Sequence, residues 1–332
     1  MGAFGNTREC DPNGRRSQHV QSGGTASAFV GAMLGLALGD ALGAPLEGGP
    51  LERTLWRVIG KTSEGRARWT DDTQMSHDLA ESLSARRDLD PDDLARRFAE
   101  SYRWSRGYGP GAARILKLIR QGVAWHIANT AVFREGSFGN GAAMRAPIIG
   151  LFCARDFDRL DTFARASAVI THAHPLGQEG AVLVARATAL VTTARAPAEI
   201  LAALRERSEL SPFRERLDIA VAWLRSGSAS AEEVRRRLGN GVAASESCVS
   251  AIYIALRFLE APFAEMLSFI AACRGDVDTI GAMAGAIWGA RNGEAALPRG
   301  PLGKLEDDER IRRVALQLHT VYSETTPSST CP

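Results

Sequence analysis

The sequence predicts an all-α protein folded as one domain, and three observations carry that expectation. Apolar residues recur at three- and four-residue spacing in segment after segment, as helices with one buried face require. Alternating runs of Val, Ile, Thr and aromatics, which would argue strands, are almost absent. Neither a long Pro/Gly/Ser linker nor an internal repeat of fixed period divides the interior.

In chain order, residues 1–26 are rich in Gly, Ser, Asn, Gln and Arg without hydrophobic periodicity and read as a disordered tail. A first helix carries Gly31, Gly35, Gly39 and Gly43, one glycine every four residues. Spacing then predicts helices over 72–83, 92–102, 111–119, 176–191, 197–204, 231–238, 247–259, 263–273 and 280–290. The last of these holds a second stripe, Gly281, Gly285 and Gly289. A glycine inside a helix costs about 1 kcal/mol relative to alanine, so such a stripe implies that something approaches the backbone closely. Antiparallel packing of the two stripes would bring Asp40, towards the end of the first helix, to the same end of the bundle as Asp276 and Asp278, at the start of the second. Residues 323–332 read as another disordered tail, which leaves 27–322 as the folded domain.

With 332 residues, 45% of them apolar, the chain can bury a substantial core. Its 40 Lys and Arg nearly cancel 38 Asp and Glu, and no basic stripe is interleaved with aromatics, so nucleic acid is not an expected partner. Cys10, Cys153, Cys248, Cys273 and Cys331 are scattered without a CxxC pair, which argues against a disulfide framework or zinc site and for a reducing cytoplasm. The stretch 29–46 is nearly all apolar and follows Arg15-Arg16 at a distance, a faint echo of an export signal. Asp40 inside it would cost roughly 2.5 to 3.5 kcal/mol in a bilayer. Its four glycines lower the lipophilicity further, so no membrane partner is expected.

Chemistry concentrates at two helix starts, Thr70-Asp71-Asp72-Thr73 and Asp276-Val277-Asp278-Thr279. Either could be plain capping, because Thr and Asp are favoured N-caps and first-turn carboxylates complement the helix dipole. Capping does not need four aspartates and two threonines at two ends, however, and surplus carboxylates in a confined site repel one another unless a cation neutralises them. Oxygen donors without nearby His or Cys suit hard ions, Mg²⁺ first, with Mn²⁺ or Ca²⁺ as relatives. Six such side chains are many for one magnesium and suit two ions roughly 3.5 to 4 Å apart. Glu47 is either a solvated loop residue or a third acidic contributor at the rim.

Other segments carry weaker signals. The run from Gly136 to Gly141 lacks the Lys-Ser/Thr of a Walker loop, so a nucleotide triphosphatase is not indicated. It is either a turn or a nest of N–H groups around a diphosphate. The glycine-rich stretch 106–111 opens a helix and reads the same two ways. His172 and His174 sit too close to Pro175 for a regular helical metal pair, so core or hydrogen-bonding roles are expected.

Thr70-Asp71-Asp72-Thr73-Gln74-Met75, the Gly-Ser-Phe-Gly-Asn-Gly-Ala-Ala-Met-Arg run from Gly136 to Arg145, and Gly275-Asp276-Val277-Asp278-Thr279 followed by Met283-Ala284-Gly285 together resemble the ADP-ribosylglycohydrolase family. The similarity spans roughly residues 28 to 295 with the motifs in family order. It implies a single compact orthogonal helical bundle whose binuclear magnesium centre serves removal of ADP-ribose from modified protein side chains or small ADP-ribosyl compounds. Thr70, Asp71, Asp72, Asp276, Asp278 and Thr279 would then be the metal ligands, and Glu47 a mobile acidic residue gating the site or touching one ion. Gly136, Ser137, Phe138, Gly139, Asn140 and Gly141 would hold the diphosphate, with Phe138 stacking on the adenosine side. His172, Gly109 and Gly111 resemble further ADP-ribose contacts. Two departures stand out: Arg274 replaces a common glycine, and Val277 a common threonine or alanine between the aspartates.

The expected reaction has Asp276, Glu47 or Asp71 managing charge and proton as the anomeric carbon becomes oxocarbenium-like and water attacks. Two other classes of activity fit the same residues. One is a non-catalytic ADP-ribose binder or structural protein, as the jellyfish J crystallins of that family illustrate; the other is a two-metal phosphate-ester or nucleotide hydrolase. A monomer is expected.

Overall fold

In the computed structural model, which describes residues 24–47, 54, 56, 58–227 and 229–325, every segment assigned from spacing falls on a helix to within a few residues at either end. Among the described residues there is no strand, only isolated bridges such as Gly139 with Ala243. The tail expected over 1–26 lies outside the described residues except at its end. There Thr25 caps the first helix, Ala26–Gly43, by accepting from the Ala28 N–H at 3.2 Å. At the other end Asp308–Glu324 stays helical two residues past the expected boundary, because Val321 and Tyr322 bury themselves and Tyr322 packs on Phe29.

Several helices begin on proline at the first position, including Pro91–Ser101, Pro110–Arg120, Pro147–Phe152, Pro175–Val191 and Pro197–Arg207. A missing N–H is harmless there because that group has no intrahelical partner in any case. Helices Phe157–Val169, Ser211–Ser226 and Asp308–Glu324, together with the short Pro147–Phe152, were not assigned from spacing, and they complete the bundle.

Two helices form its axis. Ala26–Gly43 and Val277–Asn292 run antiparallel and are buried almost throughout. Gly31 lies against Gly289, Gly35 against Gly285 and Gly39 against Gly281, so close that a Cβ on any of them would fall inside the partner's carbonyl oxygen. Gly43 packs on Asp278, where a Cβ would sit 2.6 Å from its Cα. The first helix is long and apolar enough to cross a membrane by length and composition, yet 83% of that window is buried inside the protein. Its apolarity serves the core, and the antiparallel pairing delivers Asp40, Asp276 and Asp278 to one end.

Candidate active site

Asp40 organises the first acidic segment. The carboxylate is fully buried in the first helix, and it accepts from the Thr70 N–H at 2.9 and 3.0 Å, the Thr73 N–H at 3.1 Å and the Thr73 hydroxyl at 2.5 Å. Those N–H groups open the helix Asp71–Arg86, so an aspartate thirty residues upstream does part of the capping from outside. Thr70 supplies the rest, its hydroxyl oxygen accepting from the Asp72 N–H at 3.3 Å. With the caps provided, Asp71 and Asp72 are free to point elsewhere. The sequence placed Asp40 at this end but gave no sign that it holds the Thr70 turn.

The acids of the second segment have partners of their own, Asp278 accepting from the Thr279 N–H at 2.8 Å. Asp276 occupies the N-cap position of Val277–Asn292 without a capping bond from its side chain, and its carboxylate accepts from Asn140 at 2.5 Å. The turn before it is unusual: Arg274 has φ 58° and Gly275 φ 79°. A Cβ on Gly275 would enter Asn240, whose carbonyl receives the Asp276 N–H at 2.9 Å. Thr279 reaches across to Asp72 at 3.5 Å and so touches both segments.

Glu47, Asp276 and Asp278 each offer an oxygen, all within 4.8 Å of one another. Burial raises Asp71 to about 8, aided by repulsion from Asp40, Glu47 and Asp276. Asp72 and Asp278 are driven well above the carboxylate range, again by burial first and then by neighbouring acids. Asp72 Oδ2 is buried with no hydrogen-bond donor among the described residues. A carboxylate oxygen in that position is costly unless protonated or bound to a cation. The donors are all oxygen and converge from two helix starts, so the residues present fit a hard divalent cation.

These acids floor a cavity of about 310 Å³. Its lining includes Glu47, Asp71, Asp72, Asp276, Asp278 and Thr279, as well as Gly109, Gly111, Ser137, Gly139, Asn140, Gly141 and His172. Thr70 is buried beside them, its hydroxyl capping the helix. Gly136 and Phe138 do not line the cavity. Gly136, with φ 81°, packs where a Cβ would meet the backbone of Ala173 and His174, while Phe138 is 52% exposed with its ring edge-on to His174. The loop docks on 242–244, where Asn140 N–H donates to the Val242 carbonyl and the Phe138 carbonyl accepts from Ala244 N–H. His174, expected as a hydrogen-bonding histidine, caps its helix by accepting from Leu176 N–H at 3.1 Å.

Met75, Met144, Phe133 and Val242 also line the cavity, and spacing alone did not mark them. Arg145 stands behind it, fully buried, and donates to the carbonyls of Gly141 at 2.7 Å and Ser167 at 2.8 Å. A larger cleft, about 440 Å³, is lined by Trp69, Asp78, Arg97 and Arg310. Two of its acids are already engaged, Asp78 accepting from Ser101 and Glu81 pairing with Arg310.

A family model described as ADP-ribosylglycohydrolase matches residues 22–328. ADP-ribosylhydrolase ARH3 of Mus musculus is 34% identical over 90% of this chain and 92% of its own length. The Gallus gallus protein of that name is 32% identical over 89% and 94%. A solved structure titled ADP-ribosylglycohydrolase-related protein complex superposes with a TM-score of 0.67 at 27% identity, covering 90% of this chain and 98% of its own.

Proposed function

The chain belongs to the ADP-ribosylglycohydrolase family and is an ADP-ribosyl hydrolase, and from that premise we propose that it is magnesium-dependent and cleaves the N- or O-glycosidic bond joining ADP-ribose to a protein side chain or small aglycone. The observation that carries the metal half of this reading is Asp72 Oδ2, buried among acids that repel it and without a donor among the described residues.

Asp71, Asp72, Asp276, Asp278, Thr70 and Thr279 would hold two magnesium ions, with Glu47 at their rim. When bound, such a pair offsets the carboxylate charge and polarises the ribose end of the substrate. Ser137, Gly139, Asn140 and Gly141 line the wall where a diphosphate would meet backbone N–H groups, and Gly109, with no atom of the described residues near its Cβ position, leaves room in the lining. Asn140 holds one oxygen of Asp276 and so orients the other. Asp276 or Glu47 would take the proton of the attacking water as the anomeric carbon loses its aglycone. The free, buried Cys153, Cys248 and Cys273 accord with a reducing cytoplasm.

Peptides ADP-ribosylated on arginine or on serine, incubated with the protein in magnesium or in chelator, test this reading. Release of free ADP-ribose in magnesium alone is expected. Thermal protection by ADP-ribose without any release would identify a binder, and release of phosphate or a nucleoside monophosphate a phosphohydrolase; either outcome overturns the proposal.

A further inference from the structure

We propose that Thr171 and Arg145 are positioning residues that lock the His172 imidazole as its Nε2–H tautomer, so that it presents a single hydrogen-bond donor to a phosphoryl oxygen in the cavity. The ligand part rests on the diphosphate reading above; the lock itself does not.

A guanidinium only donates, so the geometry fixes each proton in turn. Arg145 is fully buried, and among the described residues none of its hydrogen bonds goes to a carboxylate. One of its nitrogens donates to the Thr171 hydroxyl oxygen at 3.0 Å. Thr171 is also fully buried, and among the described residues the only other hydrogen-bond neighbour of its hydroxyl is His172 Nδ1 at 2.8 Å. The hydroxyl proton therefore goes to Nδ1. Nδ1 becomes an acceptor, and the one proton of a neutral ring resides on Nε2. The opposite tautomer would point two donors at Thr171 and strand the hydroxyl proton in a buried site. Burial holds the ring neutral as well, lowering His172 to about 3.

The donor emerges at the glycine loop. A Cβ on Gly139 would lie 3.3 Å from Nε2, and one on Gly141 would lie 3.0 Å from it and 2.7 Å from Cε1. The protein supplies Nε2 with no acceptor among the described residues, and His172 lines the cavity. The same guanidinium that orders Thr171 also holds the Gly141 carbonyl, so one buried cation aligns both the loop and the imidazole facing it.

Long-range ¹⁵N–¹H spectra of the full-length, ¹⁵N-histidine-labelled protein read the tautomer directly, with His172→Asn assigning the signal. A directly bonded proton on Nε2 and a bare Nδ1 are expected. A protonated Nδ1 in the unsubstituted protein overturns the lock, whatever any variant does. Thr171→Val is expected to lose the single-tautomer pattern and to weaken ADP-ribose binding about tenfold, as loss of one well-placed bond to a charged group would. Thr171→Ser is expected to restore both. A folded Thr171→Val that keeps the Nε2–H pattern and full affinity overturns the proposal. If the unsubstituted protein shows Nε2–H but binds no ADP-ribose, the diphosphate reading and the ligand half fall together, and the lock stands.

Discussion

Asp40 and Asp72 sit at the same end of the bundle and are both buried, yet they do opposite things. Asp40 has no solvent contact and accepts four hydrogen bonds from Thr70 and Thr73, and burial raises it only to about 6 because those donors counter the desolvation. Asp72 is barely more exposed, has one oxygen without a donor among the described residues, and is driven well above the carboxylate range by burial and by its acidic neighbours. Depth alone does not distinguish a structural carboxylate from one kept for a ligand. The count of donors does.

The strongest way to break that distinction is to remove one acid of each kind. Asp278→Asn should cut ADP-ribose release by about 10³-fold, since charge stabilisation by a bound metal is worth several kcal/mol. Its stability in chelator should match or exceed that of the parent, because a repelling charge has gone; both are read from a release assay and a denaturant melt. Asp40→Ala should instead destabilise the fold by about 3–5 kcal/mol, because it leaves buried donors unpaired. An Asp40→Ala protein of parental stability would refute the structural assignment.

A pH series in chelator sharpens the same contrast without mutation. Asp71 ionises near 3.8 when unfolded and near 8 when folded, so between those values the unfolded chain has released a proton that the native state retains. Native stability therefore falls as pH rises through that window. Magnesium should remove much of the slope by stabilising the ionised acids. A chelated protein whose melting is flat from pH 4 to pH 8 would remove the electrostatic argument for a cation.

The glycine stripes could be read from the sequence, and so could their consequence. Their period, with antiparallel packing, brings Asp40, Asp276 and Asp278 to one end, and the carbonyl contacts of Gly35 and Gly285 give the reason. Gly35→Ala should cost about 1–3 kcal/mol by overpacking. It should also depress activity, since helices forced apart carry the two acidic segments with them; a stable, fully active variant would uncouple the axis from the site. Of the helices not assigned from spacing, Asp308–Glu324 bears Ile311, Val314, Ala315, Leu318 and Val321 on one face, the same signal that marked the others. What spacing could not supply is direction. Phe138 belongs to a motif that implied stacking, and its half-exposed ring follows from where its loop docks on Val242 and Ala244, contacts a hundred residues away that spacing does not encode. The Asp40 bonds to Thr70 and Thr73 join residues thirty apart, which local pattern does not encode.

Arg274 sets the finest test of the line between fold and function. It stands where a glycine is common in the family motif, and its φ of 58° with ψ of −166° is a conformation that glycine adopts at little cost and a Cβ-bearing residue does not. The side chain is exposed and does not line the cavity, so the strain is not offset by any contact with the acids beside it. Arg274→Gly should therefore stabilise the protein by about 1 kcal/mol, with the release rate unchanged. Glycine also widens the unfolded ensemble, which trims the gain but does not reverse it at a position with positive φ. A stabilised variant with reduced release would mean that the guanidinium acts on the substrate from outside the cavity, and would move the boundary of the site beyond the acids and glycines that define it.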